Sequence, residues 1–242
     1  MVIEMDRVQK VISNLGYASR REAEKLIIDG KVLINDKIAH LGDKIQSSDI
    51  IKIDGIILNK ENNDKVYYLL NKPRGVVSTV KDEKNRKTVV SLIPNDKRIY
   101  PVGRLDYDTT GVLLLTNDGE LTNLLLHPKK GVEKVYVAKI KGIITGSDIY
   151  KLKNGVIIDG VKTSRARVKL KRYNKSNNTS IVELTIHEGR NHQVKKMFSS
   201  LGYEVIKLTR TRFAFLDCRS LKSGEYRTLS FKEVKKLYSL GD

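Results

Sequence analysis

The chain has few of the residues on which several protein classes depend. Its 242 residues include one cysteine, Cys218, and no tryptophan, and only 6% are aromatic. A lone cysteine cannot close a disulfide within the chain, which excludes a disulfide-stapled scaffold. No uncharged apolar stretch approaches the roughly 20 residues that a membrane helix needs. Residues 1–6 carry acids where a signal peptide needs basic residues. We therefore predict a protein of the cytoplasm.

Positive charge, in contrast, is abundant and unevenly distributed. The 46 Lys and Arg outnumber the 28 Asp and Glu, which gives a formal net charge of +18. Residues 1–60 hold 10 of the basic and 9 of the acidic residues, so residues 61–242 hold 36 and 19, a net of +17. A field of this sign attracts the phosphates of nucleic acids. The alternative is a surface that only promotes solubility.

The first 60 residues have the pattern of a small α/β unit. Apolar residues three or four apart predict two helices, and Ser19 and Glu22 form a capping box at the start of the second. Short β-type runs follow these helices. The polar residues 61–65 are a predicted linker to a second domain at 66–242.

Two arginines occupy an unusual place in this first unit. Arg20 and Arg21 lie in the first turn of the second predicted helix, where the helix dipole favours anions. Beside free backbone N–H groups they would suit a bound phosphate; the alternative is a pair of exposed arginines tolerated at small cost. Residues 7–27 and 30–35 resemble the small αL RNA-binding module found in a ribosomal protein of the small subunit. The resemblance implies binding of structured RNA and leaves the activity open.

The second domain presents three candidate carboxylates. Asp106 and Asp108 lie in an irregular, Gly- and Arg-flanked segment before a predicted buried strand, and Asp118 precedes a predicted helix. Asp118 is well explained as a turn or N-cap residue. The spacing leaves Asp106 equally open to a catalytic and to a capping role.

Strands and helices follow one another irregularly in this domain. Alternation predicts a half-buried strand at 133–140, with Val135 and Val137 opposite Tyr136. Apolar spacing predicts a helix at 191–201. Because regular βαβ alternation is missing, we predict an α+β fold.

Motifs for metals and nucleotide cofactors are missing from the sequence. The four histidines and the cysteine are scattered, without metal-ligand spacing. His127 and His192 are predicted to be ordinary polar residues. The chain has no glycine-rich dinucleotide or Walker loop. We predict neither a metal nor a cofactor.

Five ordered motifs in the chain together resemble the RsuA/RluB branch of the ribosomal RNA pseudouridine synthases. Besides the αL module, they are residues 72–75 (KPRG), 103–111 with 116–119 (GRLDYDTTG and TNDG), 133–136 (EKVY) and 188–197 (EGRNHQVKKM). One departure is that Lys195 and Lys196 stand where arginines are common, which keeps the charge but loses a bidentate fork. The resemblance implies an α+β catalytic domain around a central, mostly antiparallel mixed sheet.

The resemblance also assigns catalytic roles. Asp106 corresponds to the nucleophile, which attacks either C1′ of the ribose or C6 of the uracil; the sequence does not choose between these routes. Lys195 occupies the position of its ion-pair partner. Tyr136 matches the tyrosine that packs on the uracil, and Arg104 matches an arginine that assists base flipping. The reaction needs no cofactor, because the substrate supplies every atom.

Other basic residues of these segments are predicted to bind RNA together with Arg20 and Arg21. They are Lys72, Arg74, Arg190, Lys196, Arg210 and Arg212. The predicted partner is ribosomal RNA or an assembly intermediate, with no membrane partner, and the family suggests a monomer.

Other functions remain open at this point. A large-subunit uridine is favoured over a small-subunit uridine as the target. A non-catalytic ribosome-assembly factor would explain the charge and the αL module, but not the joint presence of Asp106, Tyr136 and Lys195. A methyltransferase would need a glycine-rich cofactor turn that the chain lacks.

Overall fold

The computed structural model describes residues 5–58 and 64–241, and these divide into two compact units. The first unit contains the described residues up to Val66, together with 95–98 and 117–119. The second contains the rest of the described chain. Residues 61–63 of the predicted linker lie outside the described residues.

Two helices packed on short strands form the first unit. In chain order its elements are β1 (Asp6–Arg7), α1 (Val8–Asn14), α2 (Arg20–Ile28), β2 (Val32–Ile34), β3 (Lys37–Ile38), β4 (Lys44–Ile45), β5 (Ile51–Ile53) and β6 (Ile56–Ile57). The capping box is confirmed: the Ser19 hydroxyl accepts from the Glu22 N–H at 3.1 Å, and the Glu22 carboxylate accepts from the Ser19 N–H at 3.0 Å. Arg20 and Arg21 are exposed on the first turn of α2.

A large mixed sheet organises the second unit. The elements are β7 (Tyr67–Lys72), β8 (Tyr100–Pro101), β9 (Thr110–Thr116), α3 (Gly119–Leu126), β10 (Lys134–Lys141), α4 (Gly146–Asn154), β11 (Ile157–Ile158), β12 (Val161–Lys162), β13 (Arg167–Asn174), β14 (Thr179–Ile186), α5 (Gln193–Ser199), β15 (Val205–Phe213), β16 (Leu216–Asp217), β17 (Tyr226–Thr228) and α6 (Phe231–Tyr238). The main strand order is β13-β14-β10-β15-β9-β7-β17, with β8 paired to β9 and β16 to β15.

The sheet confirms the predicted α+β class. Among the described strands of this sheet, every pairing is antiparallel except that of β15 with β9, which is parallel. Leu69, Val112 and Leu114 from the sheet pack with Leu121 and Leu125 of α3 in a buried core. None of the helices in the described ranges is long and apolar enough to cross a membrane.

The parallel pairing depends on Gly111. This residue has φ +105° and is paired with Arg210 of β15. A Cβ at this position would lie 2.1 Å from the Arg210 carbonyl oxygen. Any other residue would therefore force the two strands apart.

Two predicted elements differ in detail. The strand at 133–140 is central rather than half-buried, because β14 and β15 flank it; Val135 and Tyr136 are both buried although they face opposite ways. The helix predicted at 191–201 begins only at Gln193, because His192 has a left-handed φ of 52° that an α-helix does not accommodate.

Candidate active site

A cavity of about 590 Å³ opens on one face of the large sheet. Its floor is made by side chains of three adjacent strands, β14, β10 and β15: Ile186, Lys134, Tyr136, Leu208, Arg210 and Phe213. The segments 102–106 and 186–194 form part of its walls. Tyr136 and Arg210 are direct cross-strand neighbours in the antiparallel β10–β15 pair.

Asp106 lies on the loop between β8 and β9 and lines this cavity. Its Oδ2 is 3.5 Å from the Lys195 Nζ, and its Oδ1 is 3.4 Å from the His192 Nε2. The side chain is 29% exposed. The structure thus brings Asp106, Lys195 and Tyr136 to one site, although they are far apart in the chain.

Lys195 contacts a second carboxylate more closely. Its Nζ donates to Asp108 Oδ1 at 2.6 Å. This hydrogen bond is the largest cause of the lowered pKa of Asp108. One ammonium therefore serves two carboxylates, and the sequence analysis anticipated only its pairing with Asp106. Asp118 directly precedes α3, as predicted, and is not among the cavity-lining residues.

The prediction that Lys72 binds RNA needs correction. Lys72 is fully buried at the end of β7, and its Nζ donates to the carbonyl oxygens of Pro73, Asp106 and Thr109 at 3.1, 3.0 and 2.9 Å. Burial lowers its pKa to about 8. Since the ammonium is enclosed by backbone carbonyls, it is not available to a phosphate. Its hydrogen bonds hold the loop that carries Asp106 against the C-terminal end of β7.

Arg210 needs a similar correction. It is 3% exposed, and its Nε donates to the Val112 carbonyl at 2.8 Å. The guanidinium stacks 5.2 Å from the centroid of the Phe213 ring. Arg210 therefore belongs to the cavity floor rather than to an outer RNA-binding surface. The nearby Lys134 is also buried, and this burial lowers its pKa to about 8.

The other predicted basic residues of this unit fall into two groups. Arg74, Arg104 and Arg212 are exposed, and Arg104 also lines the cavity. Arg190 donates to the carbonyls of Val161 and Lys162 at 3.1 and 2.9 Å. Lys196 pairs with Asp159 at 2.5 Å. These last two residues hold the β11–β12 hairpin against α5 and the loop that precedes it.

His192 is the site residue that the sequence analysis missed. It was predicted to be an ordinary polar residue, yet its ring lies beside Asp106. The left-handed conformation that directs it there has no periodic signature in a sequence. His192 differs from an ordinary surface histidine because its ring lies beside the Asp106 carboxylate, a contact that only the folded structure shows.

The arrangement is suited to nucleophilic chemistry at a carboxylate. An ammonium keeps a partly buried carboxylate ionised, and an ionised carboxylate can attack an electrophilic carbon. The aromatic face of Tyr136 and the apolar side chains of the floor would hold a flat ring beside it. Across the described residues, no group of three or more His, Cys, Asp or Glu side chains is placed to hold a metal ion.

Comparisons with known proteins place both parts of the chain in known families. Residues 66–200 match the RNA pseudouridylate synthase family, and residues 6–51 match the S4 domain. The chain is 51% identical over 240 residues to "Ribosomal large subunit pseudouridine synthase B" of Bacillus subtilis, covering 98% of both chains. It is 37% identical to "Dual-specificity RNA pseudouridine synthase RluF" of Salmonella typhi, over 97% of this chain and 79% of that one. A crystal structure of a pseudouridylate synthase superposes on the chain with a TM-score of 0.69 at 31% identity, covering 96% of this chain and 99% of that one.

Proposed function

Because the chain belongs to the RNA pseudouridylate synthase family, we propose that it converts one uridine of large-subunit ribosomal RNA to pseudouridine. The observation that carries the proposal is the placement of Asp106 beside Lys195 in a cavity whose floor includes Tyr136. The choice of the large subunit is supported by the name of the 51% identical relative from Bacillus subtilis.

In the proposed reaction Asp106 is the nucleophile. On one route its carboxylate oxygen bonds to C1′ of the ribose while the C1′–N1 bond breaks, and the electron pair leaves with the uracil as an anion. On the other route the oxygen adds to C6 of the uracil. On the first route the base turns and its C5 bonds to C1′ while the C1′–Asp106 bond breaks and frees the carboxylate. On the second route the C1′–N1 bond of the adduct breaks, the base turns, C5 bonds to C1′, and the C6–Asp106 bond then breaks. On both routes the C5 proton departs and N1 gains a proton. Atoms and charge balance without a cofactor.

On this proposal Lys195 supplies the positive charge beside Asp106, and it shares that charge with Asp108. Tyr136 packs on the flipped uracil at the sheet floor. Arg104 is exposed on the same loop as Asp106, where its cation can enter the space that the uridine leaves in the RNA stack. His192, beside the other oxygen of Asp106, positions that carboxylate.

RNA binding is distributed over two surfaces in this proposal. The S4-like residues 6–51 contribute Arg20 and Arg21, and the second unit contributes Arg74 and Arg212, all of them exposed. Phosphate contacts fix the register and orientation of a protein on the RNA, but they do not distinguish one base from another. Replacing both Arg20 and Arg21 by Ser should therefore weaken discrimination between the target stem-loop and unrelated stem-loops. It should reduce the salt slope of binding by no more than about 2, the value for two phosphate contacts.

The activity is tested with purified protein and transcripts of large- and small-subunit ribosomal RNA. Pseudouridine is detected as a carbodiimide-dependent stop in primer extension, with the Asp106→Asn variant as control. A stop in large-subunit RNA that the variant does not produce supports the proposal. A stop in small-subunit RNA alone would move the substrate to the other subunit. Tight RNA binding without any stop would identify a non-catalytic assembly factor.

Two further parts of the proposal concern the state of the protein. We place its activity in the cytoplasm, where bacteria such as those of the relatives named above assemble ribosomes. We propose that it acts as a monomer, as the resemblance to its family suggests. Size-exclusion chromatography with light scattering tests this by measuring the mass in solution, which is 27.5 kDa for a monomer.

A further inference from the structure

The floor of the cavity holds two buried cations, Lys134 and Arg210. Among the described residues, neither Lys134 nor Arg210 forms an ion pair. Their cationic groups lie 5.9 and 5.2 Å from the same Phe213 ring centroid. Lys134 Nζ donates to the Val132 carbonyl at 3.0 Å. Glu188, a carboxylate that also lines the cavity, already accepts hydrogen bonds from Ser164, Arg190 and Gln193.

Arg210 is the less satisfied of the two. A guanidinium has five N–H donors, and in the described structure only its Nε is hydrogen bonded, to Val112 O. The Nη2 atom is buried and has no partner. Leaving buried donors unpaired is costly, and for a charged group the cost is higher still. Despite this cost, β15 holds Arg210 at the cavity floor, where it is the direct cross-strand neighbour of Tyr136.

The surroundings favour a flat neutral ring over a phosphate as the missing partner. Apart from Lys134, the floor around Arg210 consists of Tyr136, Ile186, Leu208 and Phe213, which are apolar or aromatic. A phosphate would lose its hydration against such side chains, whereas a pyrimidine would stack on them. The acceptors that a uracil presents are its two carbonyl oxygens.

We propose that the Arg210 guanidinium donates to the O4 carbonyl of the target uracil and stabilises the negative charge that develops on it. This inference rests on the proposed function. Both routes of attack place charge on O4: breaking the C1′–N1 bond gives an anion delocalised over N1, O2 and O4, and addition at C6 gives an enolate at O4. A fixed cation in a poorly solvated cavity is most effective where charge appears only during the reaction.

The symmetry of uracil strengthens this assignment. Rotation of the detached base by half a turn about its N3–C6 axis exchanges N1 with C5, and it exchanges O2 with O4. After the rotation O2 therefore occupies the place that O4 held. One guanidinium at a fixed position can pair with the base before and after it turns, without moving.

The experiment compares Arg210→Met, Arg210→Lys and the unaltered enzyme under single turnover, on RNA carrying uridine or 4-thiouridine at the target. With uridine we expect Arg210→Met to lower the rate about 100-fold, the usual effect of losing one oxyanion donor, and Arg210→Lys to lower it less. Sulfur accepts hydrogen bonds poorly. The thio substitution should therefore slow the unaltered enzyme much more than it slows Arg210→Met, so the two effects are not additive.

Several results would overturn the assignment. The first is full additivity of the Arg210→Met and 4-thio effects on the rate. The second is a rate for Arg210→Met within threefold of the unaltered enzyme. The third is a salt slope of RNA binding that Arg210→Met lowers by about one while the saturated rate is unchanged, which is the mark of a phosphate contact. Arg219→Met is the matched control, because Arg219 is exposed and pairs only with Asp217 among the described residues. If Arg210→Met does not fold, the comparison of Arg210→Lys with the unaltered enzyme on both substrates decides. Absence of pseudouridine with the unaltered enzyme would instead refute the proposed function.

Discussion

Replacing Lys72 by Met tests whether a buried cation, rather than a surface one, organises the site. The substitution removes three hydrogen bonds from an ammonium to backbone carbonyls. Hydrogen bonds from charged groups contribute roughly 1.5–3 kcal/mol each, so about 5–9 kcal/mol is lost. Against this stands the cost of burying the charge. The lowering of the pKa from 10.5 to about 8 corresponds to about 3 kcal/mol.

The balance is a loss of about 2–6 kcal/mol in the free energy of unfolding. We expect the lower part of that range, about 2–4 kcal/mol, because a methionine fills most of the vacated space. Urea unfolding measures it as a lower midpoint at constant m. Because one of the lost partners is the carbonyl of Asp106 itself, the single-turnover rate should fall at least about 10-fold, since small misplacements of a reacting group are costly.

Arg74→Met is the matched control, two residues away and exposed. It should leave stability unchanged within about 0.5 kcal/mol and reduce the salt slope of RNA binding by about 0.7–0.9, the value for one phosphate contact. The Lys72 reasoning would be refuted by the reverse pattern. In that case Lys72→Met would keep its unfolding midpoint and its rate but lose salt dependence, as the sequence analysis predicted for an RNA-binding lysine.

The remaining predictions concern the carboxylates and their partners. Asp106→Asn should lower pseudouridine formation by more than about 1000-fold while RNA affinity stays constant, whereas Asp108→Asn should keep substantial turnover; the opposite ranking would assign the nucleophile to Asp108. Lys195→Met should cost about 100-fold in rate and Lys195→Arg distinctly less, since charge is what Asp106 needs; equal losses would indicate a steric role, and both are measured by the same primer-extension assay. Glu233, bonded to Arg227 at 2.6 Å, has its pKa lowered from 4.5 to about 2, chiefly by that hydrogen bond. Its contribution to stability is therefore complete above pH 4.5 and is lost as the pH falls from there towards 2. Glu233→Gln should flatten that part of a stability–pH curve obtained by urea unfolding, and an unchanged curve would contradict the assignment.

Features defined by short-range patterns could be predicted from the sequence. The capping box of Ser19 and Glu22 depends on two residues three apart, and its geometry is confirmed. The strands β13 and β14 flank a loop rich in turn residues and pair antiparallel with each other, so a local pattern marks them as well. The α+β class follows from the order of such elements.

Features defined by distant partners could not be predicted in this way. Lys72 is held by the carbonyl oxygens of Asp106 and Thr109, more than 30 positions later in the chain. Arg210 is buried because β15 lies between β9 and β10, and no local pattern shows which strands become neighbours. A lysine or arginine in a basic chain is normally solvated. The sequence therefore predicts that both side chains are exposed and bind RNA. Only the order of the strands in the folded sheet shows that they are buried.

The tight approach at Gly111 limits how this cavity can change over evolutionary time. Asp106 precedes β9 in the chain and Arg210 belongs to β15, and these two strands meet where a side chain on residue 111 has no room. The spacing between Asp106 and the cationic floor is thus set by the backbone of these strands rather than by any single side chain. Substitutions that adapt the protein to a different RNA must instead occur in the cavity wall formed by residues 186–194 and around exposed basic residues such as Arg74 and Arg212. Substrate range can then diversify among descendants of such an enzyme while the distance over which the chemistry operates stays the same.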